Sequence, residues 1–141
     1  MAAQSALIAL IAVLCVVGPR PQFPGRDLIA AACVLAGAAF AAWAARTLGS
    51  SLTVFPRPKS RARLVRSGPF RWVRNPIYAG LILFFSGCSL DFSWTALAPT
   101  AALAVLWAGK AQVEEGHLRA RFPEYEEYAA AVRWRLVPYV Y

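Results

Sequence analysis

The chain has 141 residues, fifteen of them Lys or Arg and seven Asp or Glu, for a formal net charge of +8. A hydrophobic share of 59% against 16% charged excludes an ordinary soluble domain, and the length fits one domain. Such a basic balance can signal nucleic acid, but here the charges are segregated between apolar stretches. That pattern points to membrane topology and anionic head groups, with no nucleic-acid partner.

Four apolar segments follow one another: Ser5 to Gly18, Leu28 to Ala45, Ile77 to Leu90 and Phe92 to Ala108. Each falls short of the roughly 20 residues that a bilayer span needs and is lengthened by its flanks. The expected fold is therefore all-α, an integral membrane bundle of about four transmembrane helices with a short cytoplasmic C-terminal helix. The first segment lacks a basic leader and is followed by Pro19-Arg20-Pro21-Gln22, so it reads as a retained helix and not a signal peptide. Every basic residue except Arg20 and Arg26 lies in the loop from Arg46 to Asn75 or after Ala108. By the positive-inside rule that side is cytoplasmic, with both termini on it, as in a multi-pass protein of a cell inner membrane. Cys15, Cys33 and Cys88 lie in three different apolar segments and suit packing.

Pro19, Pro21 and Pro24-Gly25 form the first connection. The second helix is rich in Ala, which lets backbones approach closely in lipid and places it inside the bundle. Thr47 to Pro58 reads as loop. The basic run Arg57 to Arg66 reads as an orientation signal that touches lipid phosphates. Gly68-Pro69 marks a turn, and Asn75-Pro76 a helix start whose positive end, flanked by Arg71 and Arg74, welcomes an anion. Ile77 to Ala108 is too long for one span and reads as a hairpin turning near Ser89-Leu90-Asp91, with Pro99 kinking its second arm.

Past Trp107 the helix becomes charged, with Glu115 and Arg119 in the favourable i,i+4 order. Stepping back by four from Glu115 gives Ala111 and Trp107, an apolar line facing the bundle; Glu114 steps back to Lys110, a line facing solvent. Phe122-Pro123 ends the helix, and Glu124 to Val132 restarts it with Tyr125, Tyr128, Ala129 and Val132 on one face. Trp134 to Tyr141 alternates aromatic, aliphatic and basic residues, as interfacial segments do.

No Gly-x-Gly-x-x-Gly, His-Glu-x-x-His or Gly-x-Ser-x-Gly motif is present, and His117 has no second metal ligand at a suitable spacing, so no metal site is expected. Two constellations remain. One is Arg71, Arg74, Asn75 and Tyr78 at the start of the third helix; the other is Glu114, Glu115 and His117 with Tyr125 and Tyr128 beyond. Read from the residues alone, they serve equally well as a site or as arginines obeying topology and carboxylates pairing with Lys110, Arg119 or Arg74.

Gly68-Pro69-Phe70, then Arg74-Asn75-Pro76-Ile77-Tyr78-Ala79-Gly80, then Glu114-Glu115 with Leu118, Phe122, Tyr125 and Tyr128, resembles the isoprenylcysteine carboxyl methyltransferase and phospholipid methyltransferase superfamily. The resemblance runs from Arg61 to Pro138, and Asn75 stands where many members have His. It implies one membrane domain, with the first two helices and loop over 1–58 and a cofactor-binding core over 59–138. It also implies S-adenosylmethionine as cofactor and a lipophilic acceptor: a prenylcysteine carboxylate, a phospholipid amine, or a small thiol or phenol. Arg74, Asn75 and Glu115 become the expected catalytic residues. Arg71, Tyr78, Gly80, Glu114, His117, Tyr125 and Tyr128 become the expected cofactor contacts, because a carboxylate suits an arginine and helix start, and a sulfonium suits carboxylates and tyrosine faces. Two other classes compete: an NADPH-dependent membrane reductase of the sterol reductase type, and a non-catalytic scaffold that gathers anionic lipid.

Overall fold

A computed structural model describes residues 2–49 and 64–137, which are helical with no strand. The helices are α1 (Ala2–Val17), α2 (Arg26–Leu48), α3 (Pro76–Phe92), α4 (Leu97–Arg121) and α5 (Tyr125–Ala131), with 3-10 turns at Gly68–Arg71 and Trp94–Ala96. Among the described residues only α2, with 23 residues, is both long and apolar enough to cross a membrane; α1 and α3 are apolar but shorter. At 1.5 Å per residue these two extend about 25 Å, under the roughly 30 Å of a hydrocarbon core. α4 has the length, yet its second half is charged. The four-span expectation is thus met by one span on length and composition.

The chain divides into two compact units, Met1–Ala39 with Gly80–Trp107 and Phe40–Ala79 with Ala108–Tyr141. In the first, α2 meets α3 through glycine. A Cβ on Gly37 would lie 2.5 Å from the Phe84 nitrogen and 2.6 Å from the Gly80 oxygen, so only Gly permits this approach. The expectation that α2 sits inside the bundle is corrected. Ala30, Gly37, Ala41 and Ala44 are buried on one stripe, while Leu28 and Leu35 are exposed. Close packing needs only one small-residue stripe, which leaves the other faces of α2 outward. Ile11, Ala96, Leu103 and Trp107 are buried as well, with Trp107 Nε1 donating to Gln4 at 3.2 Å. All three cysteines are free, and the Cys15 thiol points at the Cys88 carbonyl, 3.8 Å away.

The hairpin between α3 and α4 turns at Ser93, two residues past the expected place. Ser89 does not break α3, because its hydroxyl donates to the Phe85 carbonyl at 2.8 Å and pairs with Thr100 Oγ1 at 3.0 Å, both inside the fold. Pro99 is not mid-helix either. It falls in the first turn of α4, where backbone N–H groups lack intrahelical partners and its missing N–H requires no kink.

In the second unit, α2 runs on through Thr47, whose hydroxyl donates to the Trp43 carbonyl at 2.8 Å; the expected loop from Thr47 starts later, and residues 50–58 of it lie outside the described residues. Of the basic run Arg57 to Arg66, only 64–66 are described, and Arg66 is taken up by the Glu124 carbonyl at 2.7 Å and Glu127 at 3.4 Å. The break at Phe122-Pro123 and the restart as α5 occur where expected. Tyr125, Tyr128 and Val132 form a core against Leu64, Leu118, Phe122 and Ala129, with Glu126 and Glu127 exposed.

Candidate functional site

The site lies in the second unit and starts from a turn. Gly68 has φ +59°, a left-handed conformation that favours glycine, and Pro69 and Phe70 are buried beyond it. Val73, 1% exposed, anchors the chain just before α3. Two successive backbone N–H groups then point at the C-terminal segment: Arg74 donates to the Trp134 carbonyl at 2.9 Å and Asn75 to the Arg135 carbonyl at 2.8 Å. The Asn75 carbonyl accepts from Ala79 at 3.2 Å, which opens α3 at Pro76. The Asn75 side chain, expected to cap that helix, instead donates through Nδ2 to Glu115 Oε1 at 3.4 Å.

Glu115 is the centre of the arrangement. Trp107, Ala111 and Glu115 are 1%, 0% and 1% exposed, the apolar line drawn by stepping in fours. Arg74 Nε lies 3.3 Å from Oε1, and Arg135 Nε donates to Oε2 at 3.2 Å. A buried carboxylate requires such partners, because an unpaired charge there costs several kcal/mol, about 3–5 when one partner is removed. The anion expected at the start of α3 is therefore supplied by the protein itself. Of the three cations open to the two carboxylates, Arg74 pairs with Glu115 and Lys110 lies beside Glu114, while Arg119 bonds Glu126 at 2.9 Å. One carboxylate faces two guanidinium groups, and Arg74 Nε, although beside Glu115, is buried without a hydrogen-bond partner.

Glu114, expected to face solvent, is partly buried. It accepts from the Tyr78 hydroxyl at 2.7 Å, and Lys110 lies 3.9 Å from the same oxygen and 5.4 Å from the Tyr78 ring centre. The reason is Tyr78, which places a donor against the Lys110 line. Burial pushes the Glu114 carboxyl above the usual carboxylate range, opposed by the Tyr78 bond and by the charges of Lys110 and His117. His117 Nδ1 is buried without a hydrogen-bond partner, and no group of metal-ligating side chains occurs among the described residues.

Tyr125 and Tyr128 meet edge to face at 5.7 Å. The Tyr128 hydroxyl donates to the Phe70 carbonyl at 2.8 Å, which ties α5 to the turn before Arg74. Burial pushes the Tyr128 hydroxyl up to about 12, with Arg74 pulling it down and Glu115 pushing it up, so this ring stands in the field of the ion pair. Arg119 stands over the Tyr125 ring at 5.9 Å.

The fold therefore assembles Arg74, Asn75 and Glu115 in direct contact, and Tyr78 with Glu114. It does not bring Arg71 to them: that side chain is exposed, with no ion pair among the described residues. Gly80 belongs to the first unit, its carbonyl against Gly37. Sequence reasoning missed Arg135. Its signal was weak, one of two arginines in the C-terminal segment, beside Leu136, which is 3% exposed.

A family model described as phospholipid methyltransferase matches residues 26–125, well over half the chain and including Arg74, Asn75 and Glu115. No curated protein matches the chain.

Proposed function

The chain belongs to the phospholipid methyltransferase family, and on that premise we propose that it is a multi-pass membrane enzyme that moves a methyl group from S-adenosylmethionine to a lipophilic acceptor drawn from the bilayer. The observation that carries the proposal is Glu115, 1% exposed between Arg74 and Arg135 with Asn75 bonded to it, inside the segment that matches the family. Arg74 Nε, buried and ion-paired to Glu115 without a hydrogen bond of its own, is the donor that the cofactor's carboxylate would engage.

The residues fit S-adenosylmethionine, which supplies an electrophilic methyl group on a sulfonium. Arg74, and Arg135 beside it, would hold its carboxylate. Glu114, partly buried beside Tyr78 and Lys110, would offer negative charge to its positive groups. Held in line, an acceptor's lone pair forms the new bond to carbon as the carbon–sulfur bond breaks. That displacement requires orientation and exclusion of water more than acid or base, and orientation supplies several kcal/mol of such barriers. A phospholipid amine, a prenylcysteine carboxylate, or a small thiol or phenol each meets this requirement, and an Asn at position 75 slightly disfavours the second. In this reading the termini and the loop before Arg74 are cytoplasmic, in a cell inner membrane.

Titration calorimetry of the protein in detergent is the test. S-adenosylmethionine should bind at micromolar to millimolar concentration and NADPH should not. Absence of S-adenosylmethionine binding at millimolar ligand sinks the proposal.

A further inference from the structure

We infer that Trp43, Trp72, Arg46 and Arg71 form a seat for the head group of an anionic phospholipid. Phe40 and Trp72 lie with ring planes 3° apart and centres 6.3 Å apart, and Trp43 stands edge-on to both, 5.4 Å from Trp72. Such a cluster would ordinarily be buried, since each ring carries a large apolar area. Here Trp43 is 41% and Trp72 58% exposed. The arrangement is built, not incidental. A Cβ on Gly68 would lie 3.0 Å from Thr47 Oγ1 and 3.5 Å from Trp43 Nε1, so glycine lets the turn that carries Trp72 close onto the end of α2.

Two cations neighbour the rings in sequence. Arg46 follows Trp43 by three residues on α2, and Arg71 directly precedes Trp72; both are exposed and make no ion pair or hydrogen bond among the described residues. Among the described residues, the arginines on either side of Arg71, Arg66 and Arg74, are committed to Glu127 and Glu115. Exposed tryptophans beside exposed arginines that have no partner among the described residues match one surroundings, the boundary where acyl chains meet phosphate. Indole rings favour the head-group level, and each nearby arginine favours an anionic lipid by about fivefold. Net positive charge selects an anionic over a zwitterionic head group. The inference rests on the membrane setting of the proposed function and not on methyl transfer.

The test uses the full chain in nanodiscs of phosphatidylcholine containing a small fraction of brominated lipid, with no cofactor. Fluorescence of the Trp43–Trp72 pair is taken as the difference between the wild type and the W43F–W72F variant. Brominated phosphatidylglycerol should quench that difference several-fold more effectively than the same fraction of brominated phosphatidylcholine. The R46Q–R71Q variant, altered only at exposed positions, should bring the two lipids close to parity. Equal quenching by both lipids in the wild type overturns the inference. So does an excess that survives R46Q–R71Q, or a pair quenched by iodide from the buffer and by neither lipid. Because no S-adenosylmethionine is present, failure to bind that cofactor and failure of the lipid seat are read separately.

Discussion

Arg135 Nε donates to Glu115 Oε2 at 3.2 Å across twenty residues of chain, and the same residue's backbone carbonyl accepts the N–H of Asn75. One residue of the C-terminal segment thus fastens both the acid of α4 and the chain entering α3. Arg135→Gln should therefore act at two levels, lowering unfolding stability by about 1–2 kcal/mol, discounted for the partial exposure of Arg135, and weakening S-adenosylmethionine binding. Thermal unfolding of R135Q, E115Q and the double variant should show a coupling of about 0.5–3 kcal/mol between the two positions. Additivity would mean that the contact contributes nothing.

The two adjacent glutamates should separate in cofactor binding. Glu115→Gln removes the charge that balances two arginines and should weaken S-adenosylmethionine binding by about 1.5–3 kcal/mol. Glu114→Gln keeps an acceptor for the Tyr78 hydroxyl and should cost under about 1 kcal/mol. Calorimetry on both variants decides it, and equal losses would refute the division between them.

Stability should depend on pH through Glu114. Burial raises its carboxyl in the folded protein, so the folded state holds that proton more readily than the unfolded chain does. Stability from this group is then greatest below the ordinary carboxylate range and falls as pH rises from there to the raised value. Tyr78, Lys110 and His117 face the carboxyl and limit the effect. Melting temperature against pH should decline less steeply in E114Q than in the wild type across that window; identical slopes would remove Glu114 as the cause.

Glycines at two places should respond with opposite sign. Gly37→Val puts side-chain atoms into the Phe84 and Gly80 backbone and should destabilise by about 1–3 kcal/mol or more. Gly109→Ala, on α4 with nothing within 4 Å of its Cβ, should stabilise by about 0.5–1 kcal/mol. Thermal unfolding in detergent reads both.

Reporter fusions address the proposed topology. One placed after Tyr141 and one inside the stretch Arg57 to Arg66 should report cytoplasm, and one near Asp91 the opposite side. Finding Asp91 with the other two would make α3 re-entrant, as its 17 residues permit.

The sequence by itself determined the helical class, the break at Phe122-Pro123, the helix start at Pro76 and the inward line Trp107–Ala111–Glu115. Each of these rests on local chemistry: proline's missing N–H, or a period of 3.6 residues. Family membership was legible too, because its motif is a short run of side chains. The choice among the possible partners was decided by the tertiary structure, which also added Arg135. Glu115 had Arg119 one turn away, yet it pairs with Arg74 and Arg135, because a buried carboxylate takes the cations that packing brings to it and not those nearest in sequence. For the same reason Glu114 leaves solvent for Tyr78, Asn75 reaches for Glu115 and not its own helix, and three rings from α2 and the turn before α3 meet where Gly68 lets the backbones close.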